Sequence, residues 1–175
     1  GVEKWKALQT MKMEASVSMQ GMEFPGIIYS KRPNKQRVEV NVMGTEMIQA
    51  YDGKVAWWIN PLMGSIDAQP MPGEMSEQMT KDQFEDDFID YREKGHQVEY
   101  LGMEEVEGAS CYVLRLTKAD GDVEQHYFDT EYVVPIMQRS TVEEGPMKGQ
   151  SADTFLSDYQ EVSGLVIPHF METII

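Results

Sequence analysis

Cysteine is nearly missing from this chain: Cys111 is the one example in 175 residues. That excludes an intrachain disulfide framework and any site built on several thiolates. Histidine is scarce as well. His96, His126 and His169 are widely spaced, with no pair at metal-ligand spacing. The H-E-x-x-H, C-x-x-C, G-x-S-x-G and P-loop patterns are absent. Long apolar runs are missing too; the longest, Val55 to Ile59, is far short of a membrane-spanning helix. Positive charge is in short supply, with 15 Lys and Arg against 30 Asp and Glu, a net charge of -15 and a pI near 4.5. Such a chain is a poor partner for nucleic acid or for an anionic membrane surface.

What remains is enough for a folded domain. Hydrophobic residues make up 41% and charged residues 26%, at a length that fits one domain spanning 1–175. Methionine, with 14 residues, outnumbers leucine, an inversion of ordinary usage. Met is flexible and polarizable, so it suits a surface that must fit variable apolar shapes; the plainer reading is a core that uses Met as filler. The scarce basic residues are concentrated before residue 74, and the acidic excess lies after it.

Local patterns point mainly to strands. Residues 1–9 have Val2, Trp5 and Leu8 on one side of an amphipathic helix. From Met11 the period becomes two, with Met11, Met13, Ala15, Val17 and Met19 alternating with polar residues. Further strands are expected over 22–31, 36–42, 46–51 and 54–60. Pro25-Gly26 implies a bulge or an edge, and Asp52-Gly53 marks a hairpin. Residues 60–73, rich in proline and glycine, read as a loop.

A helical insertion over about 71–94 follows, carrying Met71, Met75 and Met79, then Phe84, Phe88 and Tyr91 on one face. Asp82 with Glu85 resembles a capping pair, and Gly95 supplies the stop. Strands resume over 97–107, 110–118, 122–129, 132–143, 153–162 and 165–174. The expectation is a mainly β fold with some α: a strongly curved antiparallel sheet of about eleven strands, with helices against its concave side. Of Trp57 and Trp58, neighbours in one strand, one must face inward and the other outward.

No catalytic set emerges. Each histidine reads as a surface residue, and Cys111 as a buried inert thiol. The neighbouring carboxylates Asp86-Asp87, Glu104-Glu105 and Glu143-Glu144 read as solvated. A small hydrolase using Cys111, paired with His126, is the enzyme alternative. The cluster Lys31, Arg32, Lys35 and Arg37 reads either as a charged turn or as a functional feature facing an acidic partner or holding a lid.

Lys31-Arg32-Pro33-Asn34, then Tyr51-Asp52-Gly53-Lys54-Val55-Ala56-Trp57, then Ile59-Asn60-Pro61, resemble the LolA family of periplasmic lipoprotein carriers. That family has a K-R-P-N turn, a D-G-K-x-x-W hairpin and an N-P turn in the same order. The likeness is densest over 31–64. The family's paired C-terminal prolines are replaced here by Ile167-Pro168-His169-Phe170-Met171.

The resemblance implies an unclosed half-barrel covered by helices, without enzymatic activity, cofactor or metal. Its apolar cavity would take the acyl chains of lipoproteins or other lipids. Cavity residues are expected among Met11, Met13, Met19, Trp57, Met71, Met75, Met79, Phe84 and Phe88, with Arg32 holding the lid. The implied setting is the periplasm, with a targeting segment upstream of Gly1 removed. The implied partners of this monomer are an inner-membrane export complex and an outer-membrane acceptor. An envelope sensor or interaction module on the same scaffold is the alternative.

Overall fold

The computed structural model describes residues 1–19, 21–81, 83–141 and 149–174. It is mainly β, and the described residues form twelve strands in two antiparallel sheets of six. The chain divides into two compact units, Val2–Asp86 and Asp87–Ile175, the second also taking in Gly1.

The first unit begins with helix α1 (Val2–Ala7) and continues as a meander: β1 (Thr10–Met19), β2 (Met22–Lys31), β3 (Lys35–Val42), β4 (Thr45–Tyr51), β5 (Ala56–Asn60) and β6 (Ser65–Pro70). A 3-10 turn, Pro61–Met63, precedes β6, and helix α2 (Gly73–Lys81) follows it. Strands pair in sequence order, so the sheet does not close on itself. The Pro25-Gly26 signal marks a local edge rather than a bulge. β2 pairs with β1 along its whole length, but with β3 only from Gly26 onward. The missing N–H of Pro25 thus falls where no β3 partner is waiting. Gly26 sits where the strands crowd: a Cβ there would lie 3.1 Å from the Glu39 carbonyl oxygen.

Residues 65–70 correct the loop expected over 60–73. They form an edge strand on β5, with Trp57 opposite Pro70 and Trp58 opposite Gln69. An edge strand tolerates proline because one side of its backbone needs no ladder partner, so the proline count misleads here.

The second unit opens with turns over 87–95. It then runs through β7 (Gln97–Val106), β8 (Ala109–Thr117), β9 (Val123–Asp129), β10 (Pro135–Thr141), β11 (Ser151–Val162) and β12 (Leu165–Ile174), again paired in order. The expected helix is therefore only half present. α2 occupies 73–81, whereas 84–94 folds as turns. Asp90 adopts φ 51°, which a right-handed helix cannot propagate. Gly95 therefore ends no helix; it closes the run of turns, with His96 N–H bonding the Tyr91 carbonyl and Gly95 N–H that of Arg92, and its own φ is 78°. The Asp82 half of the capping pair lies outside the described residues, as do Glu143 and Glu144.

Each sheet has its own buried cluster. In the first unit Tyr51, Ala56 and Trp58 pack with Met71 and Met79. In the second, Val106, Cys111, Val113, Tyr127 and Met137 pack together with Phe155 against them. Arg139 caps that cluster, clasping Asp153 on the neighbouring strand through two bonds of 2.7 Å.

Candidate functional site

The turn between β2 and β3 is closed by the cross-strand pair Lys31 and Lys35, with Arg32, Pro33 and Asn34 between them. The Arg32 backbone N–H bonds the Gln9 carbonyl at 3.0 Å, which ties the turn to the residues just after α1. Its guanidinium then uses three donors. Nε donates to the Leu8 carbonyl at 2.7 Å, Nη2 to the Trp5 carbonyl at 2.9 Å, and Nη1 to Glu85 Oε1 at 2.9 Å.

The carbonyls at a helix C-terminus have no partner within the helix, so a cation placed there satisfies them and opposes the helix dipole. The Arg32 guanidinium also lies 4.9 Å from the centre of the Phe84 ring, and Trp5 stacks on that ring at 6.1 Å. The Arg32 side chain is 19% exposed and that of Glu85 22%, so this is a partly desolvated ion pair. Phe84 N–H bonds the Pro33 carbonyl at 3.2 Å, completing the junction. One cost stands against these bonds: Trp5 Nε1 is buried with no acceptor among the described residues.

Register assigns the faces of the first sheet. Residues opposite one another on neighbouring strands share a face, and adjacent residues alternate. Met11 and Met13 lie on the face of Ile28, Val38, Tyr51 and Trp58. The other face carries Lys12, Tyr29, Arg37, Ala50 and Trp57, which are opposite one another across five strands. The tryptophan on the methionine face is therefore Trp58, which is buried. Trp57, grouped above with the methionines, lies on the opposite face under Arg37, whose guanidinium is 5.8 Å from its ring.

The remaining expected cavity residues divide. Met11 and Met13 are half-buried, Met71 and Met79 are buried against Trp58, and Met75 is exposed. The Met19 side chain lies outside the described residues. Phe84 belongs to the Arg32 junction. Phe88 belongs to the second unit, edge-on to His126 at 4.8 Å and to Phe128 at 5.6 Å. The sequence offered Glu85 only as half of a capping pair; its ion pair with Arg32 and the stacking of Trp5 on Phe84 were not foreseen, because nothing local connects them to the turn.

Beside Phe88 is a charged network. Lys118 Nζ reaches Asp87 Oδ2 at 2.9 Å and Glu124 Oε1 at 2.8 Å, and the other Glu124 oxygen meets His126 Nε2 at 3.0 Å. Burial by itself would lower the Lys118 pKa, but hydrogen bonds to Glu124 and Asp87 reverse this and hold it above its ordinary value. Burial likewise pushes Glu124 up, and its bonds to His126 and Lys118 outweigh it, leaving the carboxyl below its usual range.

The Cys111–His126 pairing does not form. Cys111 is opposite Asp129 and His126 is opposite Leu114, which puts the two side chains on opposite faces. Cys111 is fully buried, its Sγ 3.5 Å from the Ala109 carbonyl, and burial raises its pKa. No group of three or more metal-binding side chains occurs among the described residues.

No family model matches the chain, and no curated protein does. Its likeness is to solved structures. A DUF1329 family protein from Desulfovibrio piger aligns with a TM-score of 0.60 at 15% identity, over 94% of this chain and 78% of that one. A LolA superfamily protein from Nitrosomonas europaea aligns at 0.58 and 12% identity, over 94% and 75%. A structure assigned as an outer membrane lipoprotein-sorting protein domain, from Vibrio parahaemolyticus, aligns at 0.56 and 13% identity, over 98% and 82%. The fold of this chain is LolA-like.

Proposed function

We propose that this chain, working as one carrier domain, shelters the acyl chains of lipoproteins or other lipids and moves them across the periplasm toward an outer membrane. The observation that supports this reading is the methionine face of the first sheet. Met11, Met13, Val17, Ile28, Val38 and Val40 line it, and all are only half-buried. Hiding hydrocarbon is worth about 0.8 kcal/mol per CH₂, so a chain of roughly 15 methylenes needs on the order of 12 kcal/mol of shelter. A broad apolar sheet face can supply contact on that scale, and flexible Met side chains keep it tolerant of shape. Transfer requires that the hold be released, which loose contacts allow.

Arg32 is the latch in this reading. It fixes α1 and Phe84 in a closed arrangement, and opening frees the guanidinium. The unpartnered Trp5 N–H offsets part of the latch, at about 1–3 kcal/mol for a buried orphan donor. Closed and open forms then differ by little enough for cargo to shift the balance. Cargo would come from an inner-membrane export complex and go to an outer-membrane acceptor, with the chain acting as a monomer without cofactor.

Native mass spectrometry of freshly purified protein tests this reading directly: an acylated molecule should travel with it. Met13→Lys, on the methionine face, should abolish that cargo, and Ser16→Lys, on the other face of the same strand, should retain it. Equal retention by both variants would remove the apolar face from the account.

A further inference from the structure

The other face of the first sheet carries a second, chemically different site. Between the ends of β1–β5 is an open cavity of about 440 Å³, whose walls include Tyr29, Lys31, Lys35, Arg37, Ala50 and Trp57. That volume is in the range of small-molecule sites, which combine apolar walls with a few placed polar groups. The floor is apolar and aromatic; three of the rim groups named are cations, in a chain whose net charge is -15.

Two of those cations are arranged against their own stability. Lys31 and Lys35 are opposite one another across β2 and β3, and like charges so placed repel. Neither makes an ion pair with a carboxylate among the described residues, whereas the other two cations of the lining, Lys12 and Arg37, do. Lys12 holds Glu14 at 2.9 Å and Arg37 holds Glu39 at 2.6 Å. The cavity lining holds one carboxylate, Asp52, whose Oδ1 accepts the Lys54 and Val55 N–H groups at 2.8 and 2.9 Å. Those bonds tie it to its own turn; Lys35 acts on it as a nearby charge, with no ion pair to either lysine among the described residues. Farther along the same face the polarity reverses: Glu14, Glu23, Glu39 and Glu46 line the neighbouring depression. An anion entering this face is thus confined to the lysine end.

We propose that this cavity binds a small soluble phosphate monoester with a flat apolar body. Its phosphate bridges Lys31 and Lys35, and its body lies against Tyr29 and Trp57. A monoester carries close to two negative charges at neutral pH and so matches two ammonium groups. The ring faces beneath, one already under the Arg37 guanidinium, select a planar body over an aliphatic one. The acidic surface of the whole chain opposes approach to an anionic bilayer, so the occupant is a free ester rather than a lipid headgroup. This site is independent of the acyl-binding face.

Phenyl phosphate is the probe, titrated into isotope-labelled full-length chain and followed by NMR. Saturable shifts are expected at Lys35, Arg37 and the Trp57 indole, with affinity in about the millimolar range for a few charge-assisted contacts. Inorganic phosphate should bind more weakly at the same residues, and phenol should leave them unmoved. The double variant Lys31→Met with Lys35→Met, shown folded by its own spectrum, should weaken binding by about ten-fold or more, and Lys54→Met, outside the cavity, by less than about two-fold. The proposal is overturned by an absence of saturable shifts in the unsubstituted chain. Equal weakening by Lys54→Met overturns it too, since a diffuse field would then suffice. So does lysine-dependent binding to phosphatidylglycerol vesicles that phenyl phosphate cannot displace, since the occupant would then be a membrane.

Discussion

Arg32 and Glu85 are 53 residues apart in the chain and meet at 2.9 Å, while the same guanidinium holds two carbonyls at the end of α1. Arg32→Leu leaves these acceptors without their donor. The expected result is destabilisation of about 1–3 kcal/mol together with stronger binding of an apolar dye. Arg32→Lys should restore little, because a single ammonium cannot reproduce a planar fork of three bonds. Arg115→Leu is the comparison. Its ion pair with Glu99 is 41% and 64% exposed, a setting in which such pairs contribute little. If dye binding rises equally in both leucine variants, Arg32 is no latch.

Trp58 is 7% exposed and packed against Tyr51, Met71 and Met79. Trp58→Ala should cost about 3–5 kcal/mol in urea unfolding, the range for emptying a large buried aromatic site. Trp57→Ala, on the opposite face and half-buried, should cost clearly less. A reversed order would mean the β4–β5 register is wrong by one residue.

Acid should weaken the second unit through Glu124. Its carboxyl is held below the ordinary value, so the stability it contributes is present above that value, near pH 4.3 for Glu, and is lost as pH falls through the lower folded value. Lys118, raised in the fold, contributes fully below its unfolded value and loses that contribution only in strong alkali. Urea midpoints on either side of pH 4 should therefore fall more in the unsubstituted chain than in Glu124→Gln. Parallel curves would show that the network is already open.

Cys111 has no exposed surface, and burial raises its thiol pKa, so the reactive thiolate is suppressed twice over. A maleimide should label it only slowly in the native chain and rapidly in denaturant. Fast native labelling would contradict its place among Val106, Val113 and Tyr127.

The order of hairpins was legible in the sequence because its causes are local. Alternation from Met11 to Met19 and the Asp52-Gly53 turn each act within a few residues. The K-R-P-N turn also stood out, since four adjacent residues carry it. Other features depended on pairing between distant segments. Strand alternation says that Trp57 and Trp58 face opposite ways, but only the register with β4 decides which joins the methionines. Phe84 and Phe88 share one face of an imagined helix, yet 84–94 folds as bends and turns, the unit boundary falls between the two rings, and each has its own contacts. β6 was hidden because proline, a breaker within a sheet, is permitted at an edge, and which strand is the edge is a property of the whole sheet. In the same way, the sequence determined that Lys31, Arg32 and Lys35 are close together. Only the tertiary structure turned Arg32 toward α1 and left the two lysines side by side in the lining of an open cavity, because that choice depends on which distant carbonyls and carboxylates the fold brings within reach.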